Sequence, residues 1–154
     1  MRHARGFTLL ELMIALVVIA VLAAIAVPQY EDYVMRGKIA EAVSNLSNTR
    51  VAMEKYYADN HFYNVAGTPG TCGVTMPNGG NAKYFTISCA SGNSSGPGDQ
   101  TYTITASGVD GMSGFTYTIN ESEARTSNIS STASSGWNTS GTVNCWIERK
   151  GDSC

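Results

Sequence analysis

The chain reads as an α+β protein, a long N-terminal α-helix packed on a roughly four-stranded antiparallel β-sheet. Three observations predict this. An apolar run from Phe7 to Val27 is followed by a helical stripe that reaches Tyr57. A Gly/Pro-rich stretch then ends the helical pattern. Beyond it come four short segments in which apolar and polar residues alternate. A length of 154 residues suits one domain with an appendage.

The apolar run holds a single ionisable residue, Glu11, between Phe7 and Val27. At about 1.5 Å per residue its helix reaches about 31 Å, the thickness of a bilayer's hydrocarbon core. Arg2 and Arg5 precede it, and positive charge stays cytoplasmic, so the bulk of the chain faces outward. A cleavable secretory signal would use Ala24-Ile25-Ala26 as its cutting site, but the run exceeds the roughly 7–15 residues of a signal core. A plain membrane anchor is the other simple reading. Neither accounts for Glu11. A charge in a spanning helix costs about 2.5–3.5 kcal/mol at the centre and less near an end. This helix offers no Lys or Arg, so the partner must come from elsewhere.

Helical periodicity continues beyond the run. Ile39, Val43, Leu46, Met53 and Tyr57 form an amphipathic stripe, with Glu31, Asp32, Lys38, Glu41, Arg50 and Glu54 at the solvent positions. Pro28 removes the bond to the Ala24 carbonyl and favours a kink, and Gly37 is a second soft point. A helix continuous from Phe7 to Ala58 would measure about 78 Å. Its halves are a membrane half, residues 7–27, and an amphipathic half, residues 28–59.

Residues 60–154 form the outer part. Residues 60–82 read as loop. Strands are expected at Tyr84–Cys89, Thr101–Ala106, Phe115–Ile119 and Val143–Ile147, each with one apolar face. Gly108–Gly114, with Asp110-Gly111, reads as a hairpin connection, and Ser91–Asp99 and Ser130–Gly141 read as surface loops. The four cysteines, Cys72, Cys89, Cys145 and Cys154, all lie in this part. An even count in an exported domain favours disulfides over zinc, and no C-x-x-C pair is present. Three connectivities are open. The sequence-local choice joins Cys72 to Cys89 and Cys145 to Cys154, each worth about 3 kcal/mol by loop closure.

Composition points away from catalysis. The histidines are His3 and His61, and no G-x-S-x-G, H-E-x-x-H, Gly-rich phosphate loop or calcium-loop pattern occurs. Glu121 and Glu123 share a strand-like face beside Arg125 and read as a solvated edge. No catalytic residue, metal site or cofactor is expected. The formal charge of −2 argues against a strongly basic nucleic-acid binder. Only Arg149-Lys150 are adjacent cations, with Lys83 or Arg125 able to join them in space. Tyr30, Tyr33, Tyr56 and Tyr57 read as ordinary packing residues rather than as a conduction path.

The segment Gly6-Phe7-Thr8-Leu9-Leu10-Glu11-Leu12-Met13, followed by the apolar run and Pro28, resembles the prepilin signature of type IV pilins of the type IVa class. The resemblance is strong over residues 6–60. It implies that residues 1–6 are a leader, cut between Gly6 and Phe7 by a membrane prepilin peptidase that also methylates the new amine of Phe7. It implies that the apolar helix is retained, and that Glu11 of one subunit neutralises the Phe7 amine of a neighbour in a filament. The segment before Pro28 can lose helical form in such filaments. A cysteine pair near the C-terminus also resembles pilins, where it pins the last segment to the sheet. The Cys145-Trp146 step resembles the PilE-like minor pilins, although their second cysteine precedes the third strand, where this chain reads Gly111-Met112-Ser113-Gly114.

The resemblance implies a pilin-like fold and a structural subunit of a homo-oligomeric or mixed pilus serving adhesion, twitching motility or DNA uptake. The implied partners are the peptidase, the pilus assembly machinery of the inner membrane, and membrane lipid before assembly. The precursor would be a single-pass protein of the bacterial inner membrane, and the product an extracellular pilus. A DNA-binding minor pilin for transformation and a type II secretion pseudopilin are the alternatives. Nucleic acid is the lesser reading, because loss of the leader leaves eight basic residues against twelve acids.

Overall fold

In the computed structural model, residues 7–66, 68–77, 82–92, 98–137, 139 and 141–154 are described. The leader, with Gly6, lies outside them. Chain contacts divide the molecule into two units, one ending at Val34 and the other spanning Met35–Cys154.

A long helix, α1, runs from Leu9 to Asn60 and continues through Pro28. In the first unit its apolar side chains, from Leu9 through Val27, are all exposed. By length and composition it can cross a membrane. The helix stops at His61, whose φ of 64° is left-handed. There the His61 N–H reaches the Tyr57 carbonyl at 2.7 Å and the Asn60 Nδ2 donates to the Tyr56 carbonyl at 2.9 Å.

In the second unit, α1 buries Ile39, Ala42, Leu46, Thr49 and Met53. Their spacing of three and four is one helical face. Val43 and Tyr57, expected in the stripe, lie half-buried at its rim. The other wall is an antiparallel sheet whose strands neighbour one another in chain order. They are β1 (Asn64–Val65), β2 (Thr68–Cys72), β3 (Phe85–Ser91), β4 (Tyr102–Gly108), β5 (Phe115–Asn120), β6 (Arg125–Ile129) and β7 (Thr142–Val143). The register aligns Ile87 with Ala106, Ala106 with Tyr117, Ile104 with Ile119, and Phe115 with Ile129. These residues therefore share the buried face. The other face carries Thr86, Ser88, Thr103, Thr105, Thr116 and Thr118, all exposed or half-exposed.

Among the described residues the sheet has seven strands, where four were expected. Strands β1 and β2 lie in the stretch read as loop. Pro69 and Gly70 signal a turn there, yet neither is a register partner: β2 pairs through Thr68 and Cys72 with β1 and through Thr71 with β3. Strand β6 reads Arg-Thr-Ser-Asn-Ile and shows no apolar alternation, because one of its two inward residues is Ser127. The last expected strand, Val143–Ile147, shrinks to Thr142–Val143. Beyond Val143 the chain leaves the ladder and is held by side chains instead.

The hairpin between β4 and β5 forms as expected. Asp110 and Gly111 both have positive φ, and the Met112 N–H closes the turn on the Val109 carbonyl at 2.9 Å. Two segments read as surface loops are anchored inside. Asp99 is 1% exposed and Trp137 is 2% exposed. Trp137 packs edge-on against Phe115, with ring centroids 5.7 Å apart.

Candidate functional site

The rod begins with a helix cap. The Thr8 hydroxyl oxygen accepts the Glu11 N–H at 3.2 Å, and Leu9 opens the helix. Thr8-Leu9-Leu10-Glu11 thus has the S/T-x-x-E spacing of a capping box. That signal stands in the sequence itself. It places Glu11 in the first turn, where the helix dipole favours a carboxylate. Phe7 is 77% exposed. The Glu11 carboxylate is exposed and has no cationic partner among the described residues. The first unit therefore presents an uncovered apolar rod with one acid near its start.

The sheet is joined to the helix by polar contacts as well as by the core. Glu41, Arg50 and Glu54, assigned to solvent, are half-buried against the sheet. Helical spacing could not show this, because they border the apolar stripe. Glu41 Oε1 accepts the Tyr84 N–H at 2.8 Å. Arg50 pairs with Glu123 at 2.8 Å. The Glu54 carboxylate accepts the Tyr102 hydroxyl at 2.9 Å and the Tyr63 hydroxyl at 3.2 Å. Burial, with Glu54 adding to it, pushes the Tyr63 hydroxyl up to about 12 and raises Tyr102 well above its ordinary value. Glu121 and Glu123 lie in the β5–β6 connection rather than on a strand.

Asp99 is a second buried hub. Its Oδ2 accepts the Ser91 hydroxyl at 2.6 Å and the Gly70 N–H at 3.1 Å. Its own N–H donates to Asn64 Oδ1 at 2.7 Å, and its carbonyl accepts the Tyr63 N–H at 2.9 Å. One aspartate therefore ties together β1, β2, β3 and the approach to β4. A Ser/Gly-rich neighbourhood concealed it in the sequence.

The disulfides are Cys72–Cys89 and Cys145–Cys154. The first joins β2 to β3. The second closes the C-terminal loop, and side chains pin the start of that loop. Ser127 Oγ donates to the Cys145 carbonyl at 2.7 Å and accepts the Ile147 N–H at 3.0 Å. The Tyr117 hydroxyl donates to the Ile147 carbonyl at 2.9 Å, and Trp146 Nε1 donates to the Thr118 carbonyl at 2.9 Å. Burial, then the charge of Glu148, raises the Tyr117 hydroxyl well above its ordinary value.

Basic groups meet aromatic rings at two places. The Lys38 and Lys83 ammoniums lie 4.8 and 5.1 Å from the Tyr84 ring centroid. The Arg125 guanidinium lies 4.8 Å from the Trp146 ring centroid. Lys83 thus sits with Lys38, one of the helix positions assigned to solvent, and Arg125 packs on the segment that leads to Arg149. Among the described residues no three metal-ligating side chains gather.

Comparison with known proteins gives two matches to family profiles. Residues 1–27 match the prokaryotic N-terminal methylation motif, and residues 28–118 match the profile described as type IV minor pilin ComP, DNA uptake sequence receptor. Among curated relatives, the fimbrial protein EcpC of Eikenella corrodens is 47% identical over 55 residues, 36% of each chain. A fimbrial protein of Pseudomonas aeruginosa is 50% identical over 54 residues, 35% of each chain. The type IV major pilin protein PilE1 of Neisseria gonorrhoeae is 42% identical over 57 residues, 37% of this chain and 34% of that protein. The matched stretch covers about a third of the length of these relatives.

Proposed function

This chain belongs to the type IV pilin family, in the branch profiled on the minor pilin ComP, and from that premise we propose that it is a structural subunit of a type IV pilus. One observation carries the reading. The segment from Gly6 to Glu11 falls within the match to the methylation motif and opens a rod whose apolar side chains are uncovered. Prepilin peptidase cuts between Gly6 and Phe7 and methylates the Phe7 amine. The cut creates a cation one helical turn from Glu11. In low dielectric either charge alone is costly, and pairing relieves much of that cost. Glu11 then penalises the isolated subunit and favours the docked one, through the Phe7 amine of a neighbour. The rod passes from lipid to a bundle of like rods, so packing and pairing drive the step rather than release of water from apolar surface. Before assembly the precursor spans the inner membrane once, with residues 60–154 outside the cytoplasm. Afterwards those residues face outward from the pilus. The chain's part in this is assembly and not catalysis.

Mass spectrometry of sheared surface filaments tests the proposal. The expected result is this chain beginning at methylated Phe7. A mature chain free in the medium and beginning at Val27 would overturn it.

A second reading is supported by the family profile, which is that of a DNA uptake sequence receptor. The cations about Tyr84 and Trp146 are groups able to meet phosphate and bases. A gel shift with the detergent-solubilised chain and duplex DNA, run at low and high salt, tests it. Binding that weakens steeply with salt supports the reading, and no shift at low salt dismisses it.

A further inference from the structure

We infer that Tyr30 and Tyr33 seat the unassembled precursor in the outer lipid interface and so set the depth of its rod; the inference rests on the membrane-spanning reading above. Both rings are among the most exposed large side chains of the chain, at 69% and 73%. They stand three residues apart on α1, which places them about 60° apart on one face. The apolar run ends at Val27, and the next carboxylate is Glu31. The hydrocarbon boundary is therefore bracketed within about one helical turn. Tyr30 lies about 4.5 Å beyond Val27 and Tyr33 about 9 Å beyond it along the axis. The interfacial layer on each side of a bilayer is about 5–7 Å deep, so position 30 falls within it and position 33 just beyond it. Helical side chains slope towards the helix N-terminus, which here is towards the bilayer, and that brings the Tyr33 ring back into the layer. An amphipathic ring with a hydroxyl tip suits this layer better than either water or hydrocarbon. Glu31 and Asp32 lie on neighbouring faces of the same turn and resist deeper insertion. The tyrosines resist withdrawal. Together they hold the rod at one depth until a growing filament extracts it.

The test uses the full chain in phosphatidylcholine vesicles at low protein-to-lipid ratio. Tryptophan is placed by Tyr30→Trp, Tyr33→Trp and, within the apolar run, Val18→Trp. Lipids brominated near the glycerol or near the acyl end serve as quenchers, and the signal of Trp137 and Trp146 in the parent chain is subtracted. The expected result is blue-shifted emission at positions 30 and 33, with greater loss of intensity from the shallow label than from the deep one. Position 18 should show the reverse. Water-like, unquenched emission at 30 and 33 with deep quenching at 18 would overturn the inference and leave the spanning rod intact. Blue-shifted but unquenched emission there would assign the rings to a second copy of the chain, which also overturns it. Deep quenching at position 30 would place that ring in hydrocarbon and overturn the inference as well. No quenching at position 18 would remove the membrane-spanning reading itself, and the inference with it.

Discussion

The Tyr102 hydroxyl donates a 2.9 Å hydrogen bond to Glu54 Oε1, joining β4 to α1 across 48 residues of sequence. Tyr63 reaches the other oxygen of the same carboxylate, and its ring meets Tyr102 edge-on at 4.6 Å. Glu54 thus lies where helix, loop and sheet meet. Replacing it by Leu leaves both hydroxyls without this acceptor, at about 1–3 kcal/mol each. Glu54→Gln keeps an acceptor oxygen and should cost less. Denaturant unfolding of the detergent-solubilised chain measures both. A Glu54→Leu variant as stable as the parent would show that the carboxylate is not engaged in solution.

The same tyrosines predict alkaline sensitivity. Tyr63, Tyr102 and Tyr117 all have raised folded-state values, through burial first and nearby carboxylates second. In the unfolded chain they ionise near 10. Above that pH the unfolded chain holds fewer protons than the folded one, so stability falls as pH rises. Below it the contribution is fully present. Stability followed against pH, with tyrosinate absorbance read in parallel, should show the decline begin near pH 10 and shrink in Tyr102→Phe.

Gly108 ends β4 where a side chain has no room. A Cβ there would run into the backbone carbonyl of Met112, which cannot swing aside as a side-chain tip could. Gly108→Ala should therefore cost about 1–3 kcal/mol, the usual range for overpacking. A thermal midpoint equal to that of the parent would show that the hairpin shifts freely.

Ser127 and the Cys145–Cys154 bond hold the same segment by different means. Ser127→Ala strands the Cys145 carbonyl and the Ile147 N–H, at about 1–3 kcal/mol in each case where burial persists. Replacing both cysteines by Ser should cost about 2–4 kcal/mol. Because the two share residues, their combined cost should depart from the sum, and a double-mutant cycle reads the difference.

Glu11→Val isolates the carboxylate from the cap. The cap uses the backbone N–H of position 11, which valine keeps. The variant should be cut at Gly6 and reach the membrane, yet assemble poorly in cells lacking the parent chain. Normal filament yield, read by shearing and immunoblot, would end the pairing proposal.

How legible all this was depended on the kind of interaction involved. The apolar run, the stripe from Ile39 to Met53, the strands around Ile87, Ile104 and Tyr117, and the Asp110-Gly111 turn all obey local rules of period or φ. The Thr8 cap on the Glu11 N–H was equally local and was missed. Strands β1, β2 and β6 were not legible, since short polar segments become strands only when a neighbour offers its ladder. Glu54 and Asp99 gave no signal either. A lone acid beside an apolar stripe, or at the end of a Ser/Gly loop, looks solvated until its donors arrive from distant residues.

The order of residues alone thus determined the exposed rod, its single acid at Glu11 and the antiparallel sheet on a helix, because periodicity and chain length act over neighbouring residues. Only the tertiary structure decided which polar groups are interior. The partners of Glu54, Asp99 and Ser127 come from other elements of the fold, and a buried polar group is tolerated only once such partners surround it.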